Sequence, residues 1–138
     1  MSNKTNNRPL SPHLQIYKLI PTMLVSIVHR ITGAFLYFGT TFFVLYFLSL
    51  AGGIDTFNTF KYYADNNLFE ICLFLYTWSV IHHMLGGLRY LIWDAGLCFD
   101  KHLATKFAKI NIFSSVLLVL IIWIIKNVYQ DYMRILAL

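Results

Sequence analysis

Three long apolar runs, separated by short polar stretches, dominate the pattern of hydrophobic and polar positions along the chain. They cover residues 31–54, 71–88 and 110–125. A helix needs about 20 apolar residues, with a range of roughly 17–25, to cross the hydrocarbon core of a bilayer. The second run reaches that length when it continues through Ile92, and lysines at both ends of the third can extend to the membrane surface. The pattern predicts an all-α membrane protein with three transmembrane helices, over about residues 22–51, 68–93 and 107–129.

Composition and charge support a membrane protein and give its predicted orientation. Of the 138 residues, 58% are hydrophobic and 12% are charged, about half the 25% that is usual in soluble domains. Basic residues concentrate before the first run and between the second and third, at Lys4, Arg8, Lys18, Arg30, Lys101, Lys106 and Lys109. Because positive loops stay on the cytoplasmic or matrix side, we expect the N-terminus inside and the C-terminus outside. The net charge of +5 forms no single patch, which argues against nucleic-acid binding.

The first 21 residues differ from the rest of the chain. Prolines at positions 9, 12 and 21 prevent a long helix there, and several apolar residues can lie on the membrane surface. We therefore predict a short interfacial segment over residues 1–21 and a three-helix membrane anchor domain over residues 22–138.

A polar triplet lies near the start of the first predicted helix, in the sequence SIVHRITG. Ser26, His29 and Arg30 are spaced i, i+3 and i+4, so they share one helical face. Ionisable groups inside a membrane generally have a function, and a hydroxyl, an imidazole and a cation would suit a polar ligand. The alternative is structural: Arg30 extends to the lipid headgroups and Ser26 bonds its own backbone.

A second polar stripe lies on the second predicted helix, in HHMLGGLRYLIWD. The stripe contains His83, Gly86, Gly87, Tyr90 and Asp94. A histidine followed by two glycines offers a flat surface to a planar macrocycle, although the glycines can equally admit a neighbouring helix. His82 points about 100° away, so we expect it to pack or to hydrogen-bond between helices.

Depth in the membrane connects these two clusters. The second helix is predicted to run inward, which places Arg89 and Tyr90 at the level of Ser26–Arg30 and His83 about 9 Å deeper. Two arginines, a serine and a tyrosine are then expected to line one pocket for a lipophilic carbonyl compound, beneath His83 as the candidate haem ligand. A transporter would need a polar stripe through the bilayer centre, and residues 35–50 offer little beyond two threonines, a serine and tyrosines.

Three motifs in order, RPLSPHLQIY, SIVHRITG and HMLGGLRYLIWD, resemble the family of cytochrome b subunits of succinate dehydrogenase, the larger membrane anchor of complex II. The resemblance covers nearly the whole chain. It implies that Ser26 and Arg30 bind ubiquinone, that His29 lies near the quinone and a haem propionate, and that His83 is an axial ligand of haem b. The resemblance also places Arg30 near the haem, and Arg89 and Asp94 match the arginine and the aspartate that follow the haem ligand in the family's pattern. Tyr90 departs from the pattern, since many members have histidine or phenylalanine there.

The resemblance also implies partners and a place in metabolism. Succinate oxidation on FAD belongs to a flavoprotein subunit, electron transfer through iron–sulfur clusters to an iron–sulfur subunit, and the second haem ligand to another small membrane subunit. This chain then completes the site of a respiratory and tricarboxylic acid cycle enzyme in a bacterial or mitochondrial inner membrane, without a complete catalytic site of its own. The alternatives are an anchor that binds no haem, or the equivalent subunit of a fumarate reductase.

Overall fold

The computed structural model describes residues 18–136 and contains four helices in that range. They are α1 (Pro21–Ala51), α2 (Ile54–Ala64), α3 (Asn67–Asp94) and α4 (Lys101–Leu136). Three of them, α1, α3 and α4, are long and apolar enough to cross a membrane. The predicted all-α fold with three spanning helices is confirmed. The interfacial segment over residues 1–21 lies almost entirely outside the described residues, and the inside and outside assignment stays a prediction.

Local signals in the sequence explain where the helices begin and end. Pro21 is in the first turn of α1, where its fixed φ suits a helix and its missing N–H costs nothing. Asn66 caps α3 by accepting a hydrogen bond from the Phe69 backbone N–H at 2.8 Å. At the other end of α3, Gly96 has a φ of 78° and the Leu97 N–H donates to the Ile92 carbonyl, which is the usual glycine termination of a helix.

The helix α4 is longer than the sequence pattern predicted. It has 36 residues, or about 54 Å at 1.5 Å per residue, which exceeds the roughly 30 Å hydrocarbon core. The helix begins at Lys101, before the predicted membrane span, because the Asp100 carboxylate accepts hydrogen bonds from the backbone N–H groups of His102 and Leu103. Both ends of α4 therefore extend past the apolar run.

A short helix that the hydropathy pattern did not predict, α2, follows α1 directly. Gly52 and Gly53 separate the two helices, and Gly53 has a φ of 92°. The aromatic rings of Phe57 and Phe60 contact Tyr46 of α1, at ring-centre distances of 6.2 and 5.8 Å. The helix is thus fixed to the end of the bundle opposite the loop that joins α3 to α4.

The interior of the bundle is mainly polar. Among the described residues, four apolar side chains are buried, at Val25, Ile81, Ala108 and Val119, against seven polar ones, at Thr32, Ser49, Ser79, His82, Arg89, Asn111 and Ser115. In a membrane, apolar side chains gain nothing by leaving the lipid, so small and polar residues make the contacts between helices. Below, the inner end of the bundle means the end with Pro21, Asp94 and Lys101, which the charge pattern predicts to be inside.

Candidate functional site

Two histidines from different helices form the centre of the candidate site. The rings of His29 on α1 and His83 on α3 stack in parallel, with centres 3.9 Å apart and an angle of 8° between planes. His83 Nδ1 lies 3.1 Å from the backbone carbonyl oxygen of His29 and 3.4 Å from Thr32 Oγ1. The two polar clusters found in the sequence are therefore in direct contact.

These contacts fix which nitrogen of His83 carries the proton. A carbonyl oxygen can only accept, and the Thr32 hydroxyl already donates its hydrogen to the His29 carbonyl at 2.9 Å. Both neighbours are thus acceptors, so we infer that Nδ1 carries the hydrogen and donates it. The other nitrogen, Nε2, then has a free lone pair, which is the form of imidazole that coordinates a metal.

Two glycines make this close packing possible, and each faces the histidine of the other helix. A Cβ atom at Gly33 would lie 3.0 Å from His83 Cε1, and one at Gly86 would overlap the His29 ring. A Cβ at Gly87 would meet no atom within 4 Å. Of the two alternatives for the glycine pair, close packing therefore describes Gly86, whereas Gly87 leaves an open surface.

His82 has the same tautomer as His83 but a different environment. Its Nδ1 lies 3.1 Å from Ser115 Oγ, and the Ser115 hydroxyl donates to the Ile112 carbonyl at 2.9 Å. Nδ1 is therefore the donor and Nε2 the bare acceptor here as well. His82 is only 1% exposed, between α3 and α4, so it links helices, in the role that the sequence suggested for it.

Arg89 is the most deeply buried cation among the described residues. It is 4% exposed, and its Nε, Nη1 and Nη2 atoms have no hydrogen-bond partner in the described part of the chain. Its guanidinium carbon lies 4.8 Å from the ring centre of Trp93 and 5.5 Å from that of Tyr90. Contacts of this kind stabilise a cation without using its N–H donors.

The arginine of the first motif has the opposite environment. Arg30 is exposed on the surface of α1, and Ser26, one turn earlier, is half-buried. The structure therefore does not gather the two arginines into one enclosed pocket. Arg30 and Ser26 lie on the outside of this chain, whereas Arg89 lies within the bundle.

Tyr90 and Asp94 complete the predicted stripe near the inner end of α3. The Tyr90 ring is 5.2 Å from that of His29, so Tyr90 borders the histidine stack. Together with Leu91 and Trp93, Tyr90 and Asp94 line a shallow cleft. Asp94 is exposed, and this cleft includes neither the polar triplet nor Arg89.

Sequence reasoning missed two features, a buried asparagine and a surface groove. Asn111 on α4 is 5% exposed, and both its amide nitrogen and its oxygen have no partner within residues 18–136. The signal in the sequence that could have indicated this buried residue is an isolated asparagine inside an apolar run. An open aromatic groove of about 370 Å³ lies on the surface toward the other end of the bundle, lined by residues of α1 and α3 that include Phe38, Phe42 and Tyr76; the sequence gives no sign of it.

Comparison with known proteins identifies the kind of protein that carries this site. The profile of the succinate dehydrogenase/fumarate reductase transmembrane subunit family matches residues 4–122. The succinate dehydrogenase cytochrome b560 subunit of Reclinomonas americana is 36% identical over 135 residues, which cover 89% of each chain. The cytochrome b556 subunits of Rickettsia felis and Paracoccus denitrificans are 32% and 33% identical, over 86% and 89% of this chain and 93% and 95% of their own lengths. This chain, an integral membrane protein, therefore belongs to the succinate dehydrogenase/fumarate reductase transmembrane subunit family.

Proposed function

We propose that the chain anchors succinate dehydrogenase in the membrane, provides one axial ligand to a haem b through His83 and forms one wall of the ubiquinone-reduction site. The names of its relatives, which include succinate dehydrogenase and cytochrome b, support this function over that of a fumarate reductase anchor. The observation that carries the haem assignment is the hydrogen bond from His83 Nδ1 to the His29 carbonyl.

This arrangement meets the usual requirement for a histidine ligand. Ligating histidines donate their other ring N–H to a carbonyl or carboxylate, which fixes the ring and makes the ligating nitrogen more basic. His83 satisfies this with the His29 carbonyl, and it is only half-buried on the surface of the chain. His82 has an equivalent free nitrogen, but it is sealed between helices. Both histidines have a free Nε2, but only that of His83 can be reached by a haem from outside the chain, so His83 is favoured as the ligand.

The neighbouring residues would orient the His83 ring. Stacking on His29 and close contact with Gly33 limit its rotation, while Thr32 holds the carbonyl that accepts its proton. A bound haem b supplies a one-electron carrier at this position. The second axial ligand would come from another small membrane subunit, and the FAD and the iron–sulfur clusters from the two soluble subunits.

Replacing His83 in the intact complex tests the haem assignment. We expect His83→Ala to lose haem, or to change the sharp reduced-minus-oxidised bands of a six-coordinate b haem, while the exposed His102 serves as a matched control in His102→Ala. Haem content should be measured together with the amounts of all subunits. A fully assembled His83→Ala complex with an unchanged haem spectrum would place the ligand elsewhere. An assembled wild-type complex without haem would leave this chain as a structural anchor.

The quinone site is proposed on the face that carries Ser26 and Arg30. Both lie within about one helical turn of His29, near the inner end of α1, and Arg30 is exposed to whatever packs against this chain. A fixed cation and a hydroxyl stabilise negative charge that develops on a quinone oxygen in a site poor in water. We therefore assign charge stabilisation to Arg30, a hydrogen bond to Ser26, and a neighbouring position to His29.

Activity with two acceptors tests this assignment. Arg30→Leu should abolish ubiquinone reduction and leave succinate oxidation with a soluble dye unchanged, because the dye bypasses the membrane site. The matched control is Arg134→Leu, which removes an exposed arginine at the far end of α4. Ser26→Ala should weaken quinone binding by about 1–3 kcal/mol, the usual cost of an unmet polar partner. Normal ubiquinone reduction in the Arg30→Leu complex would contradict the assignment.

A further inference from the structure

Arg89 carries a charge that no group among residues 18–136 neutralises. Its three guanidinium nitrogens are buried and without partners among residues 18–136, and the ion pairs in that range are Lys126–Glu70 and Arg134–Asp131. Arginine stays protonated even when buried. The positive charge therefore lies inside a medium of low dielectric constant, where it acts over a longer distance than a charge in water.

None of the acidic residues in the described part of the chain forms an ion pair with Arg89. The sequence has six of them. Glu70 and Asp131 belong to the ion pairs near the far end of the bundle, Asp55 and Asp65 flank α2 at that same end, and Asp100 caps α4. Asp94 is exposed and is not within salt-bridge distance of Arg89. The sequence of residues 1–17 contains no acidic residue.

Arg89 lies on the same helix as His83, close enough for its charge to act on a metal there. Six residues separate them, which is about 9 Å along the helix axis. Arg89 points into the bundle and His83 toward α1, so the field passes through protein rather than water. Contacts with the rings of Trp93 and Tyr90 hold the guanidinium in place.

We propose that Arg89 acts on the haem electrostatically. Its uncompensated positive charge raises the reduction potential of a haem ligated by His83. This inference rests on the proposed haem site. A positive charge favours the reduced iron, which carries one positive charge fewer than the oxidised form, and burial and local charge are among the means by which proteins set haem potentials. Arg89 thus makes the haem a better electron acceptor without touching it.

The size of the effect follows from Coulomb's law. If the separation of about 9 Å along the helix axis and a sideways offset together put the iron about 12 Å from the guanidinium, an effective dielectric constant of about 20 changes the ratio of reduced to oxidised haem roughly tenfold. For a one-electron couple a tenfold change corresponds to about 59 mV.

A redox titration of the intact complex, followed by the haem spectrum, measures this shift. Arg89→Gln should retain haem and lower the midpoint potential, so that the ratio of reduced to oxidised haem at fixed potential falls about tenfold. Arg89→Lys should keep a midpoint near that of the wild type. The control is Lys109→Gln, which removes an exposed cation of α4 at the inner end and should change the midpoint little, because water screens it.

A second variant tests the same inference if Arg89→Gln does not assemble. Asn111 precedes Ser115 by one turn on α4, and Ser115 contacts His82 on the antiparallel α3, so Asn111 lies between the levels of His82 and Arg89. Asn111→Asp, which is almost isosteric, places a carboxylate on α4 between the levels of His82 and Arg89, where it offsets the positive charge of Arg89, and should lower the midpoint in the same direction.

The outcomes separate this inference from the proposed function. A complex that binds haem but shows an unchanged midpoint, in whichever of the two variants assembles, overturns the role of Arg89 and leaves the haem site intact. A wild-type complex without haem overturns the proposed function itself, and this inference with it.

Discussion

Substitution of Gly86 by alanine should disturb the histidine stack, and substitution of Gly87 should not. The two glycines are adjacent in α3, and alanine gains about 1 kcal/mol over glycine in a helix at either position. A Cβ at Gly86 would overlap the His29 ring, whereas one at Gly87 would meet nothing within 4 Å. The helix-propensity gain is common to both variants, so their difference isolates the overlap.

The magnitude follows from the packing around His29. Its ring cannot simply move aside, because His83 stacks on it at 3.9 Å and Tyr90 borders it at 5.2 Å. Overfilling a packed site generally costs about 1–3 kcal/mol. We therefore expect Gly86→Ala to weaken the packing of α1 against α3 by about 1–3 kcal/mol more than Gly87→Ala does.

The assay is thermal unfolding of the detergent-solubilised complex, with the haem spectrum recorded during heating. Gly86→Ala should melt at a lower temperature than Gly87→Ala, since the displaced His29 lies in the contact between α1 and α3 and carries the carbonyl that holds His83. Equal melting temperatures and equal haem spectra for the two variants would refute the reasoning that His29 occupies the space at Gly86.

Two further predictions concern the contacts between α3 and α4. Ser115→Ala should destabilise the subunit by about 1–3 kcal/mol, because it leaves the buried His82 Nδ1–H without an acceptor; Ser114→Ala is the control, and equal melting temperatures for the two would contradict the hydrogen bond. Glu70→Gln should lower the stability of the complex by at most about 1 kcal/mol, and by less at high salt, because its ion pair with Lys126 is exposed on this chain. Thermal unfolding measures this change. A larger loss of stability that salt does not reduce would show that the pair is buried in the assembled complex.

The sequence was sufficient for the spanning helices because long apolar runs have few alternatives in a membrane protein. It was insufficient for α2, whose 11 residues mix polar and aromatic side chains and are held by contact with Tyr46. It also did not show that α4 begins before the predicted membrane span, where the Asp100 carboxylate caps the helix.

For the candidate site, the sequence predicted that the two motifs lie at a similar depth in the membrane, but it did not predict which of their side chains touch. Helical spacing could not show that His29 fills the space at Gly86 or that Gly33 receives His83, since these contacts depend on how α1 and α3 cross. It also treated Arg30 and Arg89 as equivalent cations. The spacing of Arg89 and His82, seven residues apart and thus on one face, was the signal that Arg89 points into the bundle.

An experimental structure of the intact complex at a resolution that shows the haem tests the central claim most directly. The account predicts haem iron on His83 Nε2, with Nδ1 still hydrogen-bonded to the His29 carbonyl and His82 still bonded to Ser115. Haem iron held by other residues, with His83 Nε2 facing lipid or protein, would contradict it.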